Sequence, residues 1–454
     1  VSSVPTAGGE LRLRDLVFFN VCAVISLRWV AAAAQAGPGS FVLWLVAALF
    51  FFLPSAIIVS SLARRFPEEG GMYIWTKRAF GDRHAFLCGW FYFISTVLYL
   101  PSLLLAGISM TAYAFGAPGQ RVAEARALAL PITLVVLWAA FAANYFGLKV
   151  AKWISALGGS STFIIGGMLL ALAVATAFRS GIATKFKLLP SANLDTLNFW
   201  SQIAFAFVGL ELAPLMCGEM RNPRRDLPRA AVISGALSAA FYIAVTAALL
   251  VILTPDKISP MTGLAEAGTA GARNLGLPAV GIVLAMLIGV ALAGQLETWI
   301  AGNTRLPYAI GLDNYLPAAF GRTHPKWGTP YVSLLVQAVI ATLFLLMAQL
   351  GESVRAAYQI MVDMTVMVTF IPFLYIFGAG LRFENRMAAV SGLAVTILAI
   401  GLSGLPPAEA SSGVVFEVKV VGGSLVFAVV GWMLFRRYEA RRVNEMRAKR
   451  EEVY

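Results

Sequence analysis

Four charged side chains of this chain fall inside long apolar runs: Arg28, Glu211, Glu297 and Asp363. Glu211 has the most suggestive neighbours. It lies in Phe205–Ala230, FAFVGLELAPLMCGEMRNPRRDLPRA, between Gly209 and Pro214 and just ahead of a basic, proline-punctuated loop. Pro214 has no N–H, so the carbonyl of Leu210 loses its helical donor, while Gly209 tolerates backbone angles closed to other residues. Freed carbonyls and N–H groups at such a break can hold a zwitterion or a cation. In an apolar medium they must be matched by protein or by a water-filled cavity. The blander reading is a kinked helix whose acid only pairs structurally.

Arg28 sits in AVISLRWVAAAAQ, behind Val24 and Ser26. A permanent charge about 20 Å along a helical run must find an anion, face water or snorkel outward. Nothing between Asn20 and Ala36 is a helix breaker; Gly37 and Pro38 come after the run. The residues by themselves therefore do not predict an unwound helix here. Depth counting separates Arg28 from Glu211 by about 10 Å along the membrane normal, so a direct bridge needs a broken helix or a tilt. Asp363 has Gln359 one turn before it and is a candidate proton carrier or a hydrogen-bonded structural acid. Glu297, in QLETW, takes a direct part or only faces a polar cavity. Ser160, Ser161 and Thr162 of GGSST could help coordinate Na⁺. Ser161 and Thr162, together with Thr298, make up the candidate ion site, although small polar residues in membrane helices also serve as packing contacts.

Other chemistry finds little support. His84 and His324 stand far apart in loops without HExxH spacing, so neither a metal site nor a zinc cofactor is expected. There is no phosphate-binding GxxxxGK[ST] loop and no GxSxG elbow, which argues against an ATP-driven pump and against an enzyme. No cofactor is implied. Cys22, Cys88 and Cys217 are scattered through apolar runs and read as reduced thiols rather than a disulfide framework.

The elements that must position these groups follow from composition. The chain has 454 residues, 59% of them apolar and only 13% charged, with a mean hydropathy of +0.78, which is the profile of an integral membrane protein. Apolar runs of roughly 20 residues, enough to cross the hydrocarbon core, recur near 15–36, 39–63, 85–116, 127–146, 151–178, 197–220, 229–253, 278–310, 329–350, 354–380, 385–403 and 415–436. That is an all-α protein of twelve transmembrane helices with short connections and no separate soluble domain. No signal-peptide pattern precedes the first run, and the opening Val1 points to processing or trimming. Lys and Arg alternate between loops: twenty-five of the 35 bases fall on one side and nine on the other. By the positive-inside rule both termini are cytoplasmic, in a cytoplasmic (inner) membrane. The same bias explains most of the +12 net charge, so no nucleic-acid partner is required. The tail RRYEARRVNEMRAKR reads as an amphipathic helix near anionic headgroups or as a plain solvated one.

Three blocks carry a family resemblance: Phe66–Gly81 (FPEEGGMYIWTKRAFG), Phe205–Ala230, and Arg305–Tyr331 (RLPYAIGLDNYLPAAFGRTHPKWGTPY). In order and spacing they resemble the loop after the second span, the sixth helix with its NPxRxxPRA loop, and the exit of the eighth helix in the amino acid–polyamine–organocation superfamily of secondary transporters. The resemblance covers essentially all twelve spans. It implies a LeuT-type core of two inverted five-helix repeats, 15–178 and 197–380. A cytoplasmic segment 1–14 would precede them, with two further helices at 385–436 and a basic tail at 437–454 following.

The resemblance also implies that the first and sixth helices are discontinuous and wrap a small-molecule substrate at the membrane midplane. Phe205 then resembles an aromatic gate, Gly209 lies in the unwound stretch, and Glu211 resembles an acid linked to gating or protonation. Val24 to Arg28 would fall where the family has a glycine-rich cradle for an amino-acid carboxylate. Here the residues are SLR, which suggests Arg28 as a substitute cation. The function implied is transport of amino acids by alternating access, as permease, symporter or antiporter, with H⁺ or Na⁺ as coupling ion and the lipid bilayer as surroundings. A polyamine or organic amine substrate, with Glu211, Glu297 and Asp363 as ammonium partners, is the second reading. A transport-inactive sensor of the same fold is the third.

Overall fold

The computed structural model describes residues 11–68, 70–187, 189, 194–348, 354–404 and 417–451. Most of the N-terminal segment 1–14 and the last residues of the tail lie outside them, and the side chains of Lys149, Gln359 and Lys419 are not described. Among the described residues the elements are all helical, and the one isolated bridge joins Leu11 to Met220.

Ten helices are long and apolar enough to cross a membrane: Ser40–Arg65, Asp82–Glu124, Ala127–Tyr145, Ala151–Ser180, Phe199–Glu219, Pro223–Ile252, Pro278–Leu312, Met361–Phe383, Arg386–Ser403 and Val420–Arg441. A pair bent by 40°, Leu13–Val24 with Leu27–Gln35, and a shorter apolar helix, Tyr331–Met347, occupy the remaining two apolar runs. Below, spans are numbered by the twelve runs of the sequence.

Helix contacts follow from side-chain size and from missing backbone donors. The fifth span (Leu148–Ser180) lies against the eighth (Pro278–Asn303) through glycines, since a Cβ built on Gly158 would stand 2.6 Å from the Cα of Gly294. Small residues allow such close approach where lipid offers no hydrophobic drive. In the second span, Ala48–Phe52 forms a π-helical turn. Pro54 cannot donate to the carbonyl of Phe50, and the hydroxyl of Ser391, on the eleventh span, donates to it at 2.9 Å instead. Phe51 packs there on Phe370 and Phe373 of the tenth span, with centroids 5.5 and 5.3 Å apart.

The end of the bundle that carries the N-terminal segment is tied shut. Leu11 donates from its N–H to Glu219 O, and Arg221 N–H to Leu11 O, each at 3.1 Å. Lys152 pairs with Asp15 at 2.7 Å, Arg305 with Glu219 at 2.5 Å, and Lys77 with Asp313 at 2.6 Å. Tyr73 donates to the same Asp313 carboxylate at 2.7 Å; burial, and then that carboxylate, push the Tyr73 phenol up from its ordinary pKa. These ties join the first, fifth, sixth and eighth spans to the segment after the second.

Candidate functional site

The site is built where two spans break at the same place. The first stops at Val24 and resumes at Leu27, with Ile25 and Ser26 in extended conformation. The sixth runs as an α-helix over Leu194–Phe205, turns through Ala206 to Gly209, and continues as a 3-10 helix over Leu210–Glu219. Gly209 has φ +136°, and a Cβ there would stand 2.8 Å from the carbonyl carbon of Ala23. Both facts require glycine: the angle is one L side chains rarely adopt, and the backbone of the first span occupies the space.

The break in the first span, which its own residues do not predict, is the discontinuity that the resemblance implies. Its cause lies in other spans. Tyr242 of the seventh accepts from Ser26 N–H at 3.1 Å, and its hydroxyl lies 2.7 Å from Val24 O and 2.9 Å from Ala206 O. Gln295 of the eighth donates to Ile25 O at 3.1 Å and accepts from the Ser26 hydroxyl at 2.9 Å. Trp299, one turn further along, donates to Ala23 O at 3.1 Å. Three side chains thus take the carbonyls of Ala23, Val24 and Ile25 and the N–H of Ser26, groups that a continuous helix would pair within itself.

Around the breaks is a box of aromatic rings. Phe205 meets Trp29 edge-on at 5.3 Å, Tyr99 at 6.2 Å and Phe370 at 6.3 Å. Trp299 bridges Tyr99 at 4.7 Å and Tyr92 at 6.3 Å. Tyr92 donates to one oxygen of Glu211 at 2.8 Å, and the Gly209 N–H donates to the other at 2.9 Å. Arg28 is fully buried. Its guanidinium carbon lies 4.5 Å from the Trp29 ring, 4.6 Å from Tyr99 and 5.8 Å from Tyr358, and its Nη1 donates to the Ser102 hydroxyl at 2.8 Å.

Val24, Ser26, Arg28, Phe205, Gly209 and Glu211 therefore come together. Arg28 and Glu211 do not bridge: Glu211 is held by Tyr92 and its own turn, and the ion pairs among the described residues do not include Arg28. Asp363 is buried on the tenth span, 3.4 Å from Gln202 Nε2 of the sixth, with a further interaction besides. Glu297 points away from the break, toward Asn144 of the fourth span, which donates to it. Residues two positions apart on a helix point about 200° apart, so Gln295 and Glu297 cannot share a face.

The three hydroxyls of the candidate ion site are not gathered. Thr298 meets Ser155 at 2.9 Å, whereas Thr162 donates to its own helix at Gly158 O. Ser161 and Thr162 lie two turns further along, about 10 Å at helical rise. Among the described residues no group of three His, Cys, Asp or Glu could hold a metal ion.

Tyr92, Tyr99, Ser102, Tyr242, Gln295, Trp299 and Tyr358 complete the site and were not singled out from the sequence as binding residues. One signal was available. Tyr92, Ser95, Thr96, Tyr99 and Ser102 repeat at helical spacing along an otherwise apolar third span, which marks one polar face.

Comparison with known proteins agrees with this fold. A family model described as amino acid permease matches residues 11–435. An uncharacterized transporter of Legionella pneumophila is 27% identical, covering 96% of this chain and 98% of its own length. The probable agmatine/putrescine antiporter AguD of Lactococcus lactis is 22% identical over 94% of this chain and 95% of its own. Among solved structures, the crystal structure of MhsT in complex with L-phenylalanine superposes with a TM-score of 0.59, covering 95% of this chain and all of that one, at 14% identity. That likeness is one of fold, and the fold is the LeuT type. A match from Leu11 to Phe435, around two spans broken at a common level, makes this chain a member of the amino acid permease family within the amino acid–polyamine–organocation superfamily, a multi-pass membrane transporter.

Proposed function

We propose that the protein is a secondary active transporter that carries amino acids across the cytoplasmic membrane by alternating access, with both termini inside. The observation that supports this most is the meeting of the two breaks: Gly209 of the sixth span against Ala23 of the first, ringed by Trp29, Phe205, Tyr99 and Trp299. Broken helices at the midplane present backbone polarity to a zwitterion, and an aromatic box excludes water around it.

In this reading the repeats are 15–178 and 197–380, and Val24, Ser26, Arg28, Phe205, Gly209 and Glu211 surround the substrate. Glu211 and Asp363 are the groups that would couple a proton. Sodium coupling would have to use hydroxyls other than a joint Ser161, Thr162 and Thr298 set. The ties at the N-terminal end of the bundle are the cytoplasmic closure, and opening them would release substrate inward. Substrate can drive that change only by binding the two states unequally.

The polyamine reading is favoured by one observation, the name of the Lactococcus relative. Arg28 opposes it, because a buried guanidinium beside the break repels an ammonium.

Counterflow into proteoliposomes tests the proposal, with labelled serine, leucine, glutamate, arginine and putrescine at two pH values, with and without Na⁺. Uptake of one amino-acid class is expected. Uptake of putrescine alone would replace the substrate, and binding without flux would leave a sensor.

A further inference from the structure

Arg28 is the least compensated charge of the site. It is fully buried, and among the described residues it makes no ion pair. Its flat faces look toward Trp29 and Tyr99, and Nη1 is used by Ser102. Among the described residues, Nε and Nη2 make no hydrogen bond of good geometry, and only the hydroxyls of Tyr99 and Tyr358 interact more loosely with the guanidinium. Those two nitrogens are neighbours on one edge of the planar guanidinium, and their N–H bonds run parallel. That edge is the fork that receives both oxygens of a carboxylate.

The nearby acids are engaged elsewhere. Glu211 accepts from Tyr92 and from the Gly209 N–H, and Asp363 from Gln202. Part of the first-span backbone is engaged as well. The Ser26 N–H, at the centre of the break, donates to Tyr242, and the carbonyls of Ala23 and Ile25 are taken by Trp299 and Gln295. A buried guanidinium without an anion is strongly unfavourable. Aromatic faces stabilise it only in part.

Resting on the reading of the break as the substrate site, we propose that Arg28 is the anion receptor of this transporter. Its Nε–Nη2 edge takes a substrate carboxylate as a bidentate pair, so the protein selects amino acids over the amines that decarboxylation would leave. Ser102 acts as a positioning residue: by holding Nη1 it aims the free edge. The side chain of the substrate faces the ring box of Trp29, Phe205 and Phe370.

Binding rather than flux is the first test. The full chain, solubilised in detergent, is titrated by thermal shift with matched pairs: L-serine and ethanolamine, L-leucine and isoamylamine, L-arginine and agmatine. The amino acid of at least one pair should raise the melting temperature while its amine does not. Arg28→Lys keeps the charge and loses the fork, so it should weaken that binding roughly 10- to 100-fold, the loss expected for a charge-assisted bidentate pair. Ser102→Ala, a milder change that keeps the arginine, should weaken it by a smaller factor and serves if the lysine variant does not fold. An amine that binds as tightly as its amino acid, unchanged affinity in both variants, or no binding by any pair would overturn the proposal. Failure of the two readings is separable. Amino acids that bind without counterflow would end the transport reading and leave Arg28 as receptor. Amines that are carried as well as amino acids would do the reverse.

Discussion

At the scale of single residues, most polar groups of the site have a defined partner, the Nε and Nη2 of Arg28 excepted. Glu211 is the clearest case, with Tyr92 on one oxygen and the Gly209 N–H on the other. Its carboxylate therefore fixes the turn of the sixth span as well as any proton it carries. Glutamine keeps the shape and the acceptor oxygen but cannot exchange a proton. We expect Glu211→Gln to fold, to retain exchange, and to lose the stimulation of uptake by a pH gradient. An unchanged pH profile in proteoliposomes would remove Glu211 from coupling and turn attention to Asp363. Glu297 illustrates the opposite outcome. Two positions from Gln295, it faces Asn144 rather than the break, so its burial belongs to helix packing.

At the scale of elements, the first span is broken by its neighbours. No glycine or proline lies between Asn20 and Ala36, and the break is instead held by Tyr242, Gln295 and Trp299 on two other spans. Tyr242 is central, because a single hydroxyl serves Ser26, Val24 and Ala206. Tyr242→Phe leaves those buried groups without a partner and should cost about 1–3 kcal/mol. That would be seen as a lower melting temperature in detergent, with transport impaired in parallel. An unshifted melting temperature would mean that the break holds without this hydroxyl. The sixth span differs: Gly209 and Pro214 lie within the segment that bends, so its irregularity was legible from its own residues.

At the scale of the whole molecule, the breaks lie beneath an end closed by a few ties. Asp15–Lys152 and Arg305–Glu219 join the first span to the fifth and the sixth to the eighth. Such pairs set the balance between closed and open states more than they set overall stability. Glu219→Gln weakens one of them and should shift the population toward an open inner end. Cys22, buried against the Ser155 carbonyl, would report it. With Cys88 and Cys217 replaced by serine, a membrane-impermeant maleimide added from the cytoplasmic side should label Cys22 several-fold faster in the variant. Equal labelling rates would show that this tie does not hold the closure.

Much of the molecule was legible in one dimension. Apolar runs of spanning length fixed an all-helical membrane protein, because the hydrocarbon thickness sets the length and the lipid requires internal hydrogen bonding. Gly209, Glu211 and Pro214 marked the sixth span, since a breaker acts on its own chain. Three motif blocks in order named the superfamily. What only the tertiary structure decided is which groups meet. The break at Ile25 and Ser26 depends on a tyrosine, a glutamine and a tryptophan more than 200 residues away. The ring box depends on how the first, third, sixth, eighth and tenth spans cross. Even the role open to Arg28 rests on which of its nitrogens the fold leaves unused. Hydrogen bonds between spans are properties of packing, and periodicity along one span carries no record of them.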